Sequence, residues 1–211
     1  MGIVSSFVNN LTTNGVLTAD AINNASLNSI TSIAGTGDFK LISEATASSS
    51  AYIDFTLGSL KEYQFYFVDI HGSITEKDFS FQFSTDNGSN YGVTITSTMF
   101  RALHDEADTD ASLGYTVAYD LAQSTSFQVF SGDIKADADS SMSGFLTVFN
   151  PSSSTYVKHF LGNNNAVWYA DYSIQTFVAG YANTTSPLTN IRFKFDSGNI
   201  DAGTIKMFAL V

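Results

Sequence analysis

From Phe39 onward, apolar residues recur at every second position, and a chain with that period satisfies it only as half-buried strands. The segment DFSFQF sets Phe79, Phe81 and Phe83 on one face and Ser80 and Gln82 on the other. NIRFKF repeats the pattern, with Ile191, Phe193 and Phe195 against Arg192 and Lys194. GTIKMFALV alternates Ile205, Met207 and Ala209 with Lys206, Phe208 and Leu210, and its two apolar faces predict a strand buried on both sides. Other predicted strands cover Phe39–Glu44, Tyr52–Leu57, Glu62–Ile70, Tyr91–Thr96, Leu113–Leu121, Ser143–Phe149, Tyr156–Phe160 and Gln175–Tyr181, all rich in β-branched and aromatic residues. Asn87-Gly88 predicts a type I′ hairpin turn between two alternating segments. Only two prolines and no internal repeat interrupt the pattern. The expected fold is therefore all-β: a jelly-roll-like antiparallel β-sandwich over residues 39–211, preceded by an N-terminal arm, residues 1–38, with short helical segments.

The arm reads differently from the body. Up to Asp38 it holds two acids, Asp20 and Asp38, and no base. Ile3, Phe7 and Leu11 lie four apart, Asp20 can cap a short helix carrying Ile22 and Ala25, and Leu27, Ile30 and Ile33 recur every third residue. Asn, Thr and Gly between them are poor helix formers, so such faces are marginal alone in water. The expectation is an anchoring and oligomerisation arm that buries these residues on another chain, and as a helix its length would serve as a stalk.

Composition removes several functions. Charged residues are 14% of the chain, against a usual ~25%. The balance is acidic, net −11, and nine scattered bases make no stripe to neutralise phosphates, so nucleic acid is excluded as a partner. With no cysteine, disulfides and thiolate metal sites are excluded. No apolar run reaches the ~18 residues of a membrane-spanning helix, so membrane insertion is not expected. The MGIVSS start fits a myristoylation pattern, but no basic cluster follows it. Asn10, Asn24, Asn87 and Asn183 lie in glycosylation sequons of the kind an Asn- and Ser-rich chain carries by chance.

The chemistry-bearing residues are sparse. His71, His104 and His159 lack the spacing of a compact metal motif, and a satisfied structural role is expected for them. HDEADTD carries Asp105, Glu106, Asp108 and Asp110; DIKADAD carries Asp133, Asp137 and Asp139. Both are oxygen-rich enough to raise loosely bound Ca²⁺, yet neither has the Gly and closing Glu of an EF-hand, and the alternative is a solvated acidic loop. No cofactor and no catalytic constellation is expected. GNNNAVWYADY places Trp168, Tyr169 and Tyr172 beside Asn163, Asn164 and Asn165 in an expected loop. Amphipathic rings next to amides suit a sugar or protein contact, the alternative being a strand edge that plugs the end of the sandwich.

Six stretches carry a resemblance: SSSAYIDFT (48–56), FSTDNGSNYGVTITSTMFRALH (83–104), DLAQSTSFQ (120–128), FNPSSSTYVKHF (149–160), FVAGYANTTS (177–186) and DSGNIDAGTIKMFAL (196–210). In this order they resemble a family of virion structural proteins of marine tailed bacteriophages, over roughly residues 39–211. The resemblance implies a β-sandwich on the virion and brings no catalytic residues. Within the virion, an arm long enough to be a stalk tips the expected role toward a tail-fibre, spike or other appendage module; such modules are usually homotrimers, and this one would contact other virion proteins and a host surface glycan or protein. The alternative is a capsid decoration protein coating or stabilising the head shell, which also uses a rigid sandwich, an acidic surface and an anchoring segment.

Overall fold

The computed structural model describes residues 39–211. The predicted arm, with Ile3, Phe7, Leu11, Ile22, Leu27, Ile30 and Ile33, lies outside the described residues. Twelve strands follow one another: β1 (Phe39–Thr46), β2 (Ile53–Thr56), β3 (Glu62–Gly72), β4 (Lys77–Ser84), β5 (Ile95–Asp105), β6 (Ala111–Tyr115), β7 (Gln128–Ile134), β8 (Met142–Phe149), β9 (Lys158–Trp168), β10 (Tyr172–Ala182), β11 (Asn190–Phe195) and β12 (Ile200–Leu210). Every pairing is antiparallel, and the strands form one nearly closed, barrel-like sheet.

The sheet consists of two runs. Eight strands lie side by side in the order β6-β5-β10-β9-β8-β3-β12-β1, and four in the order β7-β4-β11-β2. The runs join on one edge of β9. That edge pairs with β8 as far as Ala166, and then with β7 where Ile134 faces Trp168. Lys135 N–H to Val167 O (3.0 Å) and Tyr169 N–H to Asp133 O (3.1 Å) continue the seam.

Between the runs lies a phenylalanine core. Phe65 and Phe67 of β3, Phe79, Phe81 and Phe83 of β4, Phe130 of β7, Phe160 of β9 and Phe193 of β11 are all buried. Their rings meet mostly edge to face: Phe67 with Phe79 at 5.7 Å, Phe65 with Phe193 at 5.3 Å, Phe81 with Phe160 at 5.2 Å between centroids. Each such ring contributes about 1.5–3 kcal/mol on burial, and its edge contacts roughly 0.5–1.5 more. The alternating phenylalanines of β4 and β11 thus point where their period predicts.

Several expectations need correction. Ser80, Gln82 and Ser84, on the polar side of β4, are buried as well, because the chain folds back over the outer face of the four-strand run. Gln82 Nε2 lies 3.1, 3.1 and 2.8 Å from the carbonyls of Val93, Thr125 and Ser126, and Gln82 Oε1 accepts from Phe83 N–H. Arg192 sits between Tyr52 and Tyr91, 3.6 and 4.2 Å from the ring centroids, and forks onto Asp54 at 2.8 and 2.7 Å. Asn87 and Gly88 do adopt positive φ (59° and 80°), as a type I′ turn requires, but β4 pairs with β7 and β11 rather than β5, so the turn closes a loop and not a hairpin. The strand expected at Tyr91–Thr96 begins only at Ile95 and runs on to Asp105. That expected at Leu113–Leu121 is the short β6 followed by turns, and β7 was not foreseen. Finally, β12 is buried on one face only. Ile205, Met207 and Ala209 are buried while Phe208 and Leu210 stay half-exposed. Between β12 and β3 the register shifts at Gly203 (φ 108°), where a Cβ would meet Asp69 O at 2.5 Å, so only glycine fits.

Candidate functional site

Trp168 ends β9 at the seam between the two runs, and Tyr172 opens β10 directly opposite it. The rings of Tyr169 and Tyr172 meet the indole edge-on at 4.5 and 5.2 Å. Strand parity turns Trp168 to the inner side of the sheet, where the Arg101 guanidinium of β5 lies 5.5 Å from the indole and 5.9 Å from the Tyr119 ring. Tyr119 donates to Asp133 Oδ2 at 2.7 Å. Burial, with Asp133 and Asp78 beside it, holds the Tyr119 phenol well above its ordinary pKa. Asp78 accepts from Asp133 N–H at 2.9 Å. Burial raises its pKa first, and the nearby charges of Asp133 and Asp196 raise it further. Lys135 closes the cluster between Asp137 (2.8 Å) and Asp171, which raise its pKa.

The three predicted ligand residues are thus together, but their surroundings are not the expected loop. Asn163, Asn164 and Asn165 lie within β9, where the ladder to β8 and β10 satisfies their backbone. Asn164 is buried and donates to Phe130 O at 2.6 Å; Asn165 donates to Ser173 Oγ and Ile174 O on the opposite face of the strand. No amide trio flanks the rings. Tyr172 donates to Asp110 at 3.2 Å, and burial followed by that carboxylate raises its pKa. Trp168 is half-buried, which leaves Tyr169 as the exposed ring of the three.

The other candidates disperse. A ring nitrogen of His71 lies 2.8 Å from Ser140 O, His104 pairs with Asp108 at 3.2 Å, and His159 packs beside Tyr181. The Asp105 carboxylate is occupied by Thr109 N–H, Thr109 Oγ1 and Asp110 N–H, and these bonds hold its pKa below the usual carboxylate value. Among the described residues no group of three or more His, Asp or Glu is placed to hold a metal ion.

A larger surface was missed. The outer face of the eight-strand run carries a cross-strand row, one residue from each strand: Tyr115, Phe100, Phe177, Asn163, Phe145, Tyr66, Lys206, Glu44. Phe100 and Phe177 stack at 4.8 Å, and Tyr66 packs between Phe145 (6.5 Å) and Phe208 (5.5 Å). Phe100, Phe145, Tyr66, Leu161, Val68 and Leu113 are all exposed. The contrast with β4 is sharp: there a polar outer face lies under the chain's own loops, while here, among the described residues, nothing lies over an apolar one. The signal was present in the sequence as apolar residues on both faces of β3, β5, β8 and β12, which reads equally as a strand buried on both sides. Comparisons with known protein families, with curated proteins and with solved structures find nothing that matches this chain.

Proposed function

We propose that this chain is a non-enzymatic structural protein of a phage virion, exposed on the particle as a tail-fibre, spike or other appendage module, attached through its N-terminal arm and touching the host surface. On this reading the body is a jelly-roll-like sandwich and its partners are other virion proteins. The observation that carries the proposal is the apolar outer face of the eight-strand run, which no other described residue covers. Apolar patches of more than a few hundred Å² on one body mark surfaces made to be covered by another molecule. The six stretches that resemble marine-phage virion proteins supply the kind of assembly. The breadth of the face favours a second reading, a capsid decoration protein laid flat against the head shell or its neighbours.

The test is mass spectrometry of purified particles, with the protein located by electron microscopy. Presence at a few copies on the tail supports the appendage, and presence at a copy number near that of the capsid protein supports decoration. Absence from particles made by cells that express the chain rejects both.

A further inference from the structure

We propose that the outer face of the eight-strand run is an interface with a second copy of this chain, packed sheet to sheet about a two-fold axis near Asn163. This names a partner for the face on which the virion reading rests. Three observations on the face point to a copy of itself.

The first is size. Eight strands at ~4.8 Å spacing and three rows of side chains ~7 Å apart cover roughly 34 by 20 Å. Laid flat that is roughly 700 Å² on each copy; the barrel curves its outer strands away, so a facing copy covers less, short of the ~800 Å² each partner gives to a standard interface and in the range of a weaker contact.

The second is charge. The chain carries net −11, so most faces of two copies repel. This face does not. Beside the central row runs Thr98, Ala179, Leu161, Thr147, Gln64, Phe208 and Leu41, which is uncharged. In the central row itself Lys206 and Glu44 stand opposite each other, 3.9 Å apart, and cancel. The two rows together thus bring no net charge to the meeting of two copies.

The third is shape. The face holds both knobs and the hollow to receive them. Asn163 lies between Phe177 and Phe145 in the row, and with Leu161 these side chains border a groove lined mainly by apolar atoms. A two-fold interface requires that self-complementarity, since each patch meets its own likeness. Phe145 of one copy fits beside Asn163 of the other, with the sheets ~10 Å apart as in aligned sheet packing. A glycan fits less well: Phe100 and Phe177 stack on each other, at 12° between planes, which occupies one face of each ring.

The experiment is sedimentation velocity of the full chain from 1 to 100 µM, with Phe145→Asp and Asn163→Cys beside it. The expected results are an even-numbered oligomer, a shift of Phe145→Asp to monomer with unchanged far-ultraviolet circular dichroism, and oxidative cross-linking of Asn163→Cys, the chain having no other thiol. A full chain that stays monomeric at 100 µM overturns the proposal, whether the face then meets residues 1–38, a lipid vesicle or a different virion protein. So does a trimer indifferent to Phe145→Asp whose Asn163→Cys variant does not cross-link. The two readings fail separately. A monomer found in particles sinks the interface and keeps the virion role; a dimer absent from particles does the reverse.

Discussion

Phe67 of β3 and Phe193 of β11 meet edge to face, with 5.1 Å between ring centroids, and so bind the eight-strand run to the four-strand run. Phe193 also touches Phe55, Phe65, Phe79 and Phe81, which makes it the hub of the core. Phe193→Ala therefore leaves a cavity that rings from three other strands border, and few neighbours can relax into it. The expected loss is about 3–5 kcal/mol by urea or thermal unfolding, with Phe193→Leu costing less than half as much. A loss below about 1 kcal/mol for the alanine variant would show that the two runs are held together elsewhere.

Gln82 makes a second, polar tie. Its amide, itself fully buried, reaches three backbone carbonyls of the segments that cover β4. Gln82→Leu keeps the volume and removes the donor, at an expected cost of about 1–3 kcal/mol. Hydrogen exchange should rise over residues 85–94 and 124–127 and stay unchanged in β5 and β10. Uniform acceleration across the body would instead mark a global loss of stability.

The dependence on pH has parts of opposite sign. Asp78 is raised above the ordinary 3.8, so the fold prefers its protonated form. Its contribution is present at acid pH and is lost as pH rises through the raised value; at neutrality its ionised carboxylate opposes the fold. Asp86, bonded by Ser84 Oγ and by Asn90, is lowered to about 2, so its contribution is present above 3.8 and lost as pH falls toward 2. Tyr91 is pushed up to about 12 by burial, with Asp54 adding to it, so its contribution is lost as pH rises from 10 toward 12. Asp78→Asn keeps an acceptor for Asp133 N–H and removes the repulsion from Asp133 and Asp196. It should raise the melting temperature at pH 7, with the gain shrinking as pH falls through the raised value and gone below 3.8, where the carboxyl is protonated folded and unfolded alike. Tyr91→Phe should flatten the alkaline limb between pH 10 and 12. A melting temperature for Asp78→Asn that falls at pH 7 would mean the carboxylate is needed ionised.

How much of this was legible depended on what each residue faces. The inward phenylalanines of β4 and β11 were, because period two fixes their side of the strand and a core is the only place for so many rings. The class of fold followed. The pairing order did not, since registers such as Phe67 with Ile205 join residues far apart in the chain, and Asn87-Gly88 forms its turn without pairing the strands beside it. The Trp168–Tyr169–Tyr172 cluster was legible as a cluster, because three aromatics within five residues stay close in any conformation. Its Arg101 and Tyr119 partners were not, as they arrive from β5 and from the segment after β6. The outer apolar face was the largest omission. Phe100, Phe145 and Tyr66 read as core by type, and only the topology shows that nothing among the described residues lies over them.

The remaining prediction separates the two roles open to the Trp168 cluster. Trp168 stands at the corner where β9 passes its edge from β8 to β7, with its ring against Arg101 and two tyrosines. Trp168→Ala should cost about 2–3 kcal/mol, less than a fully buried ring because one side remains open. Tyr169 is exposed, and its backbone bond to Asp133 O survives truncation, so Tyr169→Ala should fall within about 0.5 kcal/mol of wild type. If the cluster contacts a host ligand, Tyr169→Ala lowers adsorption of particles carrying it without moving the melting temperature. If the cluster is a corner plug, adsorption falls only with Trp168→Ala and recovers when the assay is run well below that variant's melting point. Adsorption unchanged in both variants would remove the cluster from host recognition and leave Trp168 as the residue that locks the seam.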